Sequence, residues 1–480
     1  MMELDVVIVG AGLSGIGAAY HVQNSCPDRT FTVLEGRSAI GGTWDLFKYP
    51  GIRSDSDMYT FGFPFHPWKN PKAIADAPSI LEYINDTVDT FDLRKHIQFG
   101  KRVVGANWSS EHKKWHLTVE CSETGNQEIV GCQFLFMCSG YYDYTGGYEP
   151  EFPNADVFEG VKIHPQKWDV NLDYSDKKVV IIGSGATAVT LVPELAKTAK
   201  EVTMLQRSPT FILNLPSEDI FANTLKKVLP KQVAHNIARW KNILLSIAMY
   251  KASRKWPQGV SNLLRKQIKR TLGDKYHDKD FTPKYNPWDQ RLCLVPDNDL
   301  FKAIKSGKAR IVTDTIKSFV KDGIELDSGG KIEADIIVTA TGLKVQLFGG
   351  MKLNVDEKPL DLSQSPAFKG VMLSDIPNFA FAVGYTNASW TLKSDLNCIF
   401  LTKVLNYMKE NDYSVCIPKF DHENMQKEEL LDFDAGYIKR AKNELPKQGT
   451  EGPWKVHQNY IKDLFALKYG SVKDKYLDYQ

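Results

Sequence analysis

The sequence has 480 residues, of which 42% are hydrophobic and 25% charged, and its formal net charge is +2. These values exclude a disordered or fibrous chain and allow two or three globular domains, each with its own core. The nearly balanced charge gives no electrostatic reason to expect a nucleic-acid partner.

The seven cysteines are scattered without a CxxC pair, and the ten histidines form no HxxH or HExxH cluster. We therefore expect a reducing, cytoplasmic environment, no metal site, and a protein other than a disulfide reductase. A strand begins almost at the first residue, so we expect no signal peptide. No apolar run approaches the roughly 18 residues that a membrane span needs.

The chain opens with a pattern typical of a dinucleotide-binding βαβ unit, over residues 4–35. An apolar strand leads into a turn with Gly10, Gly12 and Gly15, which let a backbone approach a pyrophosphate at a helix N-terminus. Glu35 follows about twenty residues later, where a carboxylate accepts hydrogen bonds from a ribose diol. The unit suits the adenosine half of FAD.

The rest of the first predicted domain, residues 1–147, contains three kinds of segment. An aromatic segment rich in Gly and Pro occupies residues 41–55. A helical pattern covers residues 74–91, and short β-like pieces follow over residues 97–136. Gly, Tyr and Pro then predict a linker, at residues 140–153.

A second strand, turn and helix pattern carries Gly183, Gly185 and Ala188. Here the following strand ends in Gln206 and Arg207 instead of a carboxylate. A carboxylate would repel a 2′-phosphate, whereas these two side chains offer donors and a positive charge. The second cofactor is therefore predicted to be NADPH.

Residues 217–286 interrupt this second predicted domain, which spans residues 148–378. From Lys226 to Lys279 there are 14 Lys or Arg residues and 2 Asp, a local charge of +12. The pattern predicts a helical insertion whose basic face is either a solvated surface or an anchor on anionic lipid. Five apolar residues recur there at helical spacing: Val233, Ile237, Trp240, Leu244 and Ile247.

Three later segments close the chain. Arg291 lies in an aromatic and proline-rich stretch, residues 286–296, and an apolar strand ends at Thr341 and Gly342. Residues 379–480 are predicted to complete the first domain with one more buried strand and a helix. From about residue 413 the mixed charged and aromatic residues give no prediction.

Five residues between the two units share a fixed spacing: Phe158, Gly160, His164, Trp168 and Asp169. They fill the FxGxxxHxxxW(P/D) fingerprint of Baeyer–Villiger monooxygenases, a branch of the flavin-containing monooxygenases. Residues 41–55 also fill the GxWxxxx(F/Y)PGxxxD fingerprint. The chain thus resembles this branch over five motifs, from residue 4 to about 400, and is most similar to bacterial members such as the long-chain alkane monooxygenases.

The resemblance implies an α/β fold with two Rossmann-like domains, in which an NADPH domain with a basic helical insertion interrupts an FAD domain. It places Asp55 beside the isoalloxazine of FAD. Thr341 and Gly342 would end the strand at which the chain returns to the first domain. Three further residues are implied to lie near FAD: Gly42, Thr43 and Trp44.

The resemblance also implies a chemistry. NADPH reduces FAD, the reduced flavin adds dioxygen at its C4a carbon, and the peroxide attacks a ketone carbonyl to give an ester or lactone. Arg291 stands where the family has its active-site arginine, and Asp55 can hold that guanidinium. Gln290 replaces a lysine that often contacts the 2′-phosphate, which weakens the NADPH preference without reversing it. His164 and Trp168 are implied to govern nicotinamide seating and domain motion.

Two alternatives remain open. One is an oxygenase acting on sulfur, nitrogen or a terminal alkyl carbon, a chemistry that does not need Arg291. The other is a non-oxygenating, NADPH-dependent flavin reductase or a nucleotide-sensing module. We expect a cytoplasmic protein with a small ketone or thioether substrate and O2, and with peripheral contact to an anionic membrane as an open alternative. The sequence names neither the substrate nor the oligomeric state.

Overall fold

The computed structural model describes residues 2–431 and 435–480. Its first part is the expected βαβ unit, because a fully buried run from Val6 to Ile8 leads through the glycine turn into a helix. The elements of this part are β1 Met2–Val9, α1 Leu13–Ser25, β2 Phe31–Leu34, α2 Thr43–Leu46, α3 Met58–Phe61, α4 Ala77–Thr90, β3 Ile97–Gln98, β4 Lys101–Ser109, β5 Lys114–Cys121 and β6 Gln127–Met137.

The middle part repeats the unit and adds the predicted helices. Its elements are β7 Val161–Ile163, β8 Lys178–Ile182, α5 Ala186–Leu195, β9 Glu201–Gln206, β10 Ile212–Leu215, α6 Ile220–Val228, α7 Lys231–Lys255, α8 Pro257–Leu272, α9 Asp278–Phe281, β11 Cys293–Pro296, α10 Asp299–Lys305, β12 Ala309–Thr313, β13 Ile316–Val320, β14 Gly323–Leu326, β15 Lys331–Glu333 and β16 Ile336–Thr339.

The last part is mainly one long helix with short strands around it. Its elements are β17 Lys352–Val355, β18 Lys358–Pro359, β19 Ala367–Phe368, β20 Met372–Leu373, β21 Phe379–Phe381, α11 Trp390–Glu410, β22 Cys416–Pro418, β23 Lys427–Glu429, α12 Gly436–Ala441, β24 Lys447–Gly449, α13 Tyr460–Asp463 and β25 Leu477–Tyr479.

Two sheets organise the fold. Within the described residues the larger sheet has nine strands in the order β18-β17-β4-β5-β6-β1-β2-β3, with β21 beside β6. The smaller sheet runs β12-β9-β8-β16-β7, and all its pairs are parallel. Each sheet has its own buried core. The predicted fold of two dinucleotide-binding units with a helical insertion is confirmed.

The chain returns to the first sheet before residue 378, where the second domain was predicted to end. Strand β17 pairs in parallel with β4, from Lys352 opposite Gly105 to Val355 opposite Trp108. The chain is therefore back in the first sheet about 25 residues before β21 begins. Such a short strand, joined through irregular segments, gives no periodic signal in the sequence.

The helical insertion divides its contacts between the two domains. Helix α7 packs on α3, and Ala238 of α7 belongs to the core of the first sheet. Helix α8 instead places Ile268 and Leu272 in the core of the second sheet. The insertion thus bridges the two sheets.

All seven cysteines are free. In the part of the chain that the structure describes, no group of three or more His, Cys, Asp or Glu side chains is placed to hold a metal ion. No helix among residues 2–431 and 435–480 combines the length and the apolarity needed to cross a membrane.

Candidate active site

The first glycine turn is held tightly by its own backbone. Gly10 has φ of 103°, and a Cβ added there would lie 2.8 Å from the carbonyl oxygen of Cys138. A methyl group at Gly15 would overlap the Gly10 carbonyl oxygen. Gly12 caps α1 without a side-chain acceptor, so the first N–H groups of this 13-residue helix are available. This cradle fits a pyrophosphate.

Glu35 lies directly beside that turn. Its side chain is buried at the end of β2, where Oε2 accepts a hydrogen bond from Ala11 N at 2.7 Å. The other oxygen, Oε1, accepts one from Arg37 N at 2.9 Å. The carboxylate is therefore held beside the turn by two backbone N–H groups.

The segment from Gly42 to Trp44 lies against the same turn. A Cβ added at Gly42, whose φ is 56°, would come within 3.2 Å of Gly12 Cα. Thr43 Oγ1 lies 3.5 Å from the hydroxyl of Tyr144, and the Trp44 ring contacts Phe61 at 5.5 Å between centroids. The structure thus brings the two predicted FAD motifs together.

The second turn is more open than the first. At Gly183, with φ of 137°, a methyl group would overlap the carbonyl oxygen of Ala340. A Cβ added at Gly185, the N-cap of α5, would meet nothing within 4 Å. Ala188 is fully buried in the first turn of α5. The space above Gly185 is open, so a ligand group can approach the N-terminus of α5.

The prediction that Gln206 offers a donor to a 2′-phosphate is wrong. Its side chain is 1% exposed, and Nε2 donates to the carbonyl oxygen of Asp280 at 3.0 Å and to Thr313 Oγ1 at 2.8 Å. Gln206 is the last residue of β9 and is buried like the residues before it. Its amide group therefore makes its hydrogen bonds inside the domain. Arg207 is exposed. Of these two side chains, Arg207 is the one that remains available to a phosphate.

His164 ties together the segments that join the two domains. Its Nε2 lies 3.2 Å from the carbonyl oxygen of Gly342, and its Nδ1 accepts from Gln166 N at 3.1 Å. The ring covers Gly147, where a methyl group would overlap it. Burial lowers the pKa of His164, so the neutral ring donates through Nε2. Thr341 Oγ1 donates to the carbonyl oxygen of Tyr148 at 2.5 Å, beside these contacts.

The other fingerprint residues lie in the second domain. Phe158 packs on Phe319, and a methyl group at Gly160 would overlap the Asp335 carbonyl oxygen. Trp168 is buried in the core of the second sheet. Asp169 accepts a local hydrogen bond from the backbone of Asn171. Within the described residues, His164 is the fingerprint side chain that hydrogen-bonds to the segments joining the domains.

Arg291 and Asp55 form a two-point ion pair between the domains. Arg291 Nε lies 2.8 Å from Asp55 Oδ2, and Nη2 donates to Oδ1 at 3.0 Å. The side chains are 35% and 30% exposed, so the pair is partly open to solvent. Burial lowers the pKa of Arg291, but the Asp55 carboxylate and nearby tyrosines raise it by more. The guanidinium is therefore a permanent cation at this place.

Three tyrosines beside this pair were not predicted. The hydroxyls of Tyr141 and Tyr142 are 2.6 Å apart, and the Tyr142 and Tyr437 rings are in contact. Burial raises the pKa of all three, so they keep their protons. The Tyr141 ring stacks on Trp390 at 5.1 Å. The surroundings of the Arg291–Asp55 pair therefore combine a fixed cation with neutral O–H donors.

Part of this cluster has a signal in the sequence. Tyr141 and Tyr142 closely follow β6, which lies next to β1, so the carboxyl end of that strand points to the first turn. Tyr437 lies on α12 in the C-terminal region that gives no prediction. Its helix is held over the interdomain segment because the Arg440 guanidinium lies 3.6 Å from the centre of the Tyr148 ring.

The sequence is similar to known flavin-binding monooxygenases. The profile of the flavin-binding monooxygenase-like (FMO-like) family matches residues 4–349. The FAD-containing monooxygenase EthA of Mycobacterium tuberculosis is 49% identical over 475 residues, which cover 98% of this chain and 97% of that protein. The probable FAD-binding monooxygenase AlmA of Acinetobacter baylyi is 49% identical over 479 residues, covering 99% and 96%.

Solved structures share the fold at much lower identity. A complex of OTEMO with FAD and NADP has a TM-score of 0.74 at 19% identity and covers 99% of both chains. Cyclohexanone monooxygenase with bound ε-caprolactone has a TM-score of 0.77 at 17% identity and covers 100% of both chains. The two-domain arrangement therefore extends over the whole chain.

Proposed function

Because this chain belongs to the flavin-binding monooxygenase-like family, we propose that it is an NADPH- and O2-dependent Baeyer–Villiger monooxygenase with FAD as its cofactor. A ketone, O2, NADPH and a proton give an ester or lactone, NADP⁺ and water. The observation that carries this proposal is the two-point, partly exposed Arg291–Asp55 pair that joins the two domains.

The pair suits a reaction in which an oxygen anion must be stabilised without being protonated. A guanidinium stays charged at any working pH, and its planar fork matches a carboxylate at two points. Asp55 fixes the orientation of Arg291, so the cation needs no rearrangement during the reaction. A lysine or histidine in that place would be able to give up a proton.

The chain's own residues divide the cofactors between the two turns. The first turn, with Gly10, Gly12, Gly15 and Glu35, would hold the adenosine diphosphate part of FAD. Gly183 and Gly185 would hold the pyrophosphate of NADPH, and Arg207 its 2′-phosphate. When bound, FAD activates dioxygen and NADPH provides the hydride. Three further residues would line the flavin: Gly42, Thr43 and Trp44.

The tyrosine hydroxyls would orient the ketone. A neutral O–H is a donor to a carbonyl oxygen, and the raised pKa values keep Tyr141, Tyr142 and Tyr437 protonated. Such a donor draws electron density from the carbonyl carbon, which makes that carbon more open to attack by a nucleophilic oxygen.

The test follows oxygen atoms into products. Wild-type protein with FAD, NADPH and ¹⁸O2 is expected to convert linear and cyclic ketones into esters that carry one ¹⁸O, as measured by mass spectrometry. Arg291→Ala is expected to bind FAD and oxidise NADPH, to release hydrogen peroxide, and to form ester about 10²–10³-fold more slowly. Arg310→Ala removes an ion pair with Glu201 on the second sheet, and is the matched control.

Other outcomes point to other functions. Full ester formation by Arg291→Ala would show that the arginine is structural. Oxygen transfer to thioethers alone, undiminished in Arg291→Ala, would indicate the sulfur-oxygenating alternative. NADPH oxidation with ¹⁸O in hydrogen peroxide but in no organic product would indicate a flavin reductase.

A further inference from the structure

Helix α7 of the insertion has two faces with different surroundings. Its buried residues, such as Ala234, Ala238 and Ile243, lie on one side. On the other side four apolar residues recur at intervals of four, three and four, which places them on one face. This α7 stripe consists of Val233, Ile237, Trp240 and Leu244, which are 45%, 40%, 43% and 53% exposed. Ile247, the fifth residue at this predicted spacing, is instead partly buried and packs against Ile243, Tyr385 and Leu392.

The opposite face of α7 already anchors the helix to the first domain, so the stripe is not needed for packing. Arg239 is buried, and its Nη1 donates to the carbonyl oxygens of Tyr59 and Gly62, both at 2.8 Å. Asn242 Nδ2 donates to Asp57 Oδ1 at 2.8 Å. These contacts fix the rotation of α7 about its own axis. The stripe on the opposite face therefore points outward.

Aromatic side chains extend the apolar surface beyond α7. The Trp240 ring contacts Tyr460 at 5.9 Å between centroids. The segment that follows Tyr460 exposes Phe465 and Tyr469 by 63% and 65%, and these two rings contact each other. Lys241 Nζ lies 5.1 Å from the ring of Phe221, which is itself 48% exposed. The stripe is thus bordered by aromatic rings on the elements that touch it.

The charge of the helices that carry the stripe is strongly positive. The sequence from Ile220 to Gly273 contains 12 Lys or Arg residues and no Asp or Glu. Two of these cations are neutralised by carboxylates outside that span, Lys241 by Asp219 and Arg254 by Asp289. Seven others are exposed and form no ion pair within the described residues: Lys227, Lys231, Lys251, Lys255, Lys266, Lys269 and Arg270.

We propose that α6, α7 and α8 form a docking face for an anionic membrane surface. An apolar stripe enters the boundary between headgroups and acyl chains, while lysines and arginines beside it contact lipid phosphates. Each such cation near the surface strengthens attachment. This inference concerns location and does not depend on the proposed reaction.

A second copy of this chain fits the face less well. In a twofold dimer the same patch meets itself, so this predominantly basic surface would oppose an identical one. Like charges across an interface are unfavourable, and the apolar stripe is too narrow to separate them. An anionic membrane offers both an apolar interior for the stripe and negative charge for the lysines and arginines.

The test is co-sedimentation of the full-length protein with vesicles. We expect the protein to pellet with an equimolar mixture of phosphatidylcholine and phosphatidylglycerol at low salt, and to stay in solution with phosphatidylcholine alone. Binding should fade as salt rises past about 0.5 M, where screening shortens to a few ångströms.

Two double variants separate the apolar and the charged contributions. Trp240→Ser with Leu244→Ser should lower the apparent vesicle affinity by about tenfold or more, because two inserted side chains are lost. Lys251→Glu with Lys255→Glu should lower it by at least about 30-fold, since each lost cation accounts for about fivefold.

Matched controls lie outside the insertion. Ile129→Ser with Val170→Ser removes two exposed apolar side chains, and Lys177→Glu with Lys200→Glu reverses two exposed charges. Both should bind vesicles as the wild type does. Flavin absorbance and NADPH oxidation confirm that each variant is folded.

Three outcomes would overturn the proposal. The first is wild-type protein that stays in solution with anionic vesicles at low salt. The second is binding that the α7 variants leave unchanged. The third is sedimentation analysis showing a dimer that Trp240→Ser with Leu244→Ser dissociates, which would make a second copy the occupant.

Discussion

The two dinucleotide units share a strand order but place opposite groups at the end of their second strand. In the first unit that group is a buried carboxylate, Glu35, fixed by the backbone N–H groups of Ala11 and Arg37. In the second it is the exposed guanidinium of Arg207. A buried, fully oriented acceptor favours retention of its ligand, whereas an exposed donor favours exchange.

The turns differ in the same direction. The first is so tight that Gly15 admits no methyl group, because its helix lies on the Gly10 carbonyl oxygen. The corresponding residue of the second unit already carries a methyl group, as Ala188. The space beside Gly185 is open, while Gly12 faces Gly42 of the next motif. The comparison suggests a retained cofactor in the first unit and an exchanged one in the second.

The largest expected effect is that of Gly15→Ala. The added methyl group would overlap backbone that cannot move without opening the turn, at a cost of at least about 3 kcal/mol. The purified variant should contain almost no flavin by absorbance. Gly17→Ala in the same helix is the control, because its methyl group would meet only the Phe63 side chain at 3.1 Å. Equal flavin content in both variants would contradict the tight-turn account.

Next in size is Glu35→Gln. The amide keeps the shape but loses the charge, and it offers an N–H toward one of the two backbone N–H groups. We expect FAD affinity to fall by about 100-fold, the equivalent of almost 3 kcal/mol for a charged acceptor. Fluorescence titration of the flavin-free protein measures this. An unchanged affinity would show that Glu35 serves the loop and not the ribose.

Arg207→Ala should have a smaller effect because the side chain is exposed. We expect the KM for NADPH to rise by about 5- to 30-fold and activity with NADH to stay nearly constant. Gln206→Ala is the companion variant: it should lower thermal stability by a few degrees and leave the NADPH preference intact. Equal losses with NADPH and NADH in Arg207→Ala would exclude a contact with the 2′-phosphate.

The smallest effect is expected for Ala188→Gly. Replacing this buried alanine by glycine in α5 costs about 1 kcal/mol of helix stability and leaves the phosphate space unchanged. The KM for NADPH should therefore change by less than about twofold, with slightly earlier thermal unfolding. A large rise in KM would mean that the second turn is as tightly fitted as the first.

The features that depend on local backbone chemistry could be predicted from the sequence. The turns at Gly10 and Gly183, the strands around them and the basic helices all follow from glycine spacing and apolar periodicity. The inward direction of Gln206 was not predictable, because it depends on partners 74 and 107 residues away, Asp280 and Thr313.

Only part of the site around the Arg291–Asp55 pair was predictable. Arg291 and Asp55 were expected there because each lies in a recognisable motif, and the structure joins them across 236 residues. Tyr437 comes from a six-residue helix, too short for a periodic signal. The direction of the α7 stripe was equally hidden, because helical spacing defines a face without saying what lies opposite it.

The division of the insertion between the two domains has a consequence for building chimeras. Helix α7 belongs to the second domain by chain order, but its buried Arg239 bonds to three carbonyl oxygens around α3 of the first. Helix α8 stays with the second core. A transplanted nucleotide domain that carries its own α7 would meet a foreign surface at those carbonyls. Productive crossovers should therefore fall near Trp256, between α7 and α8, with a second one before α6.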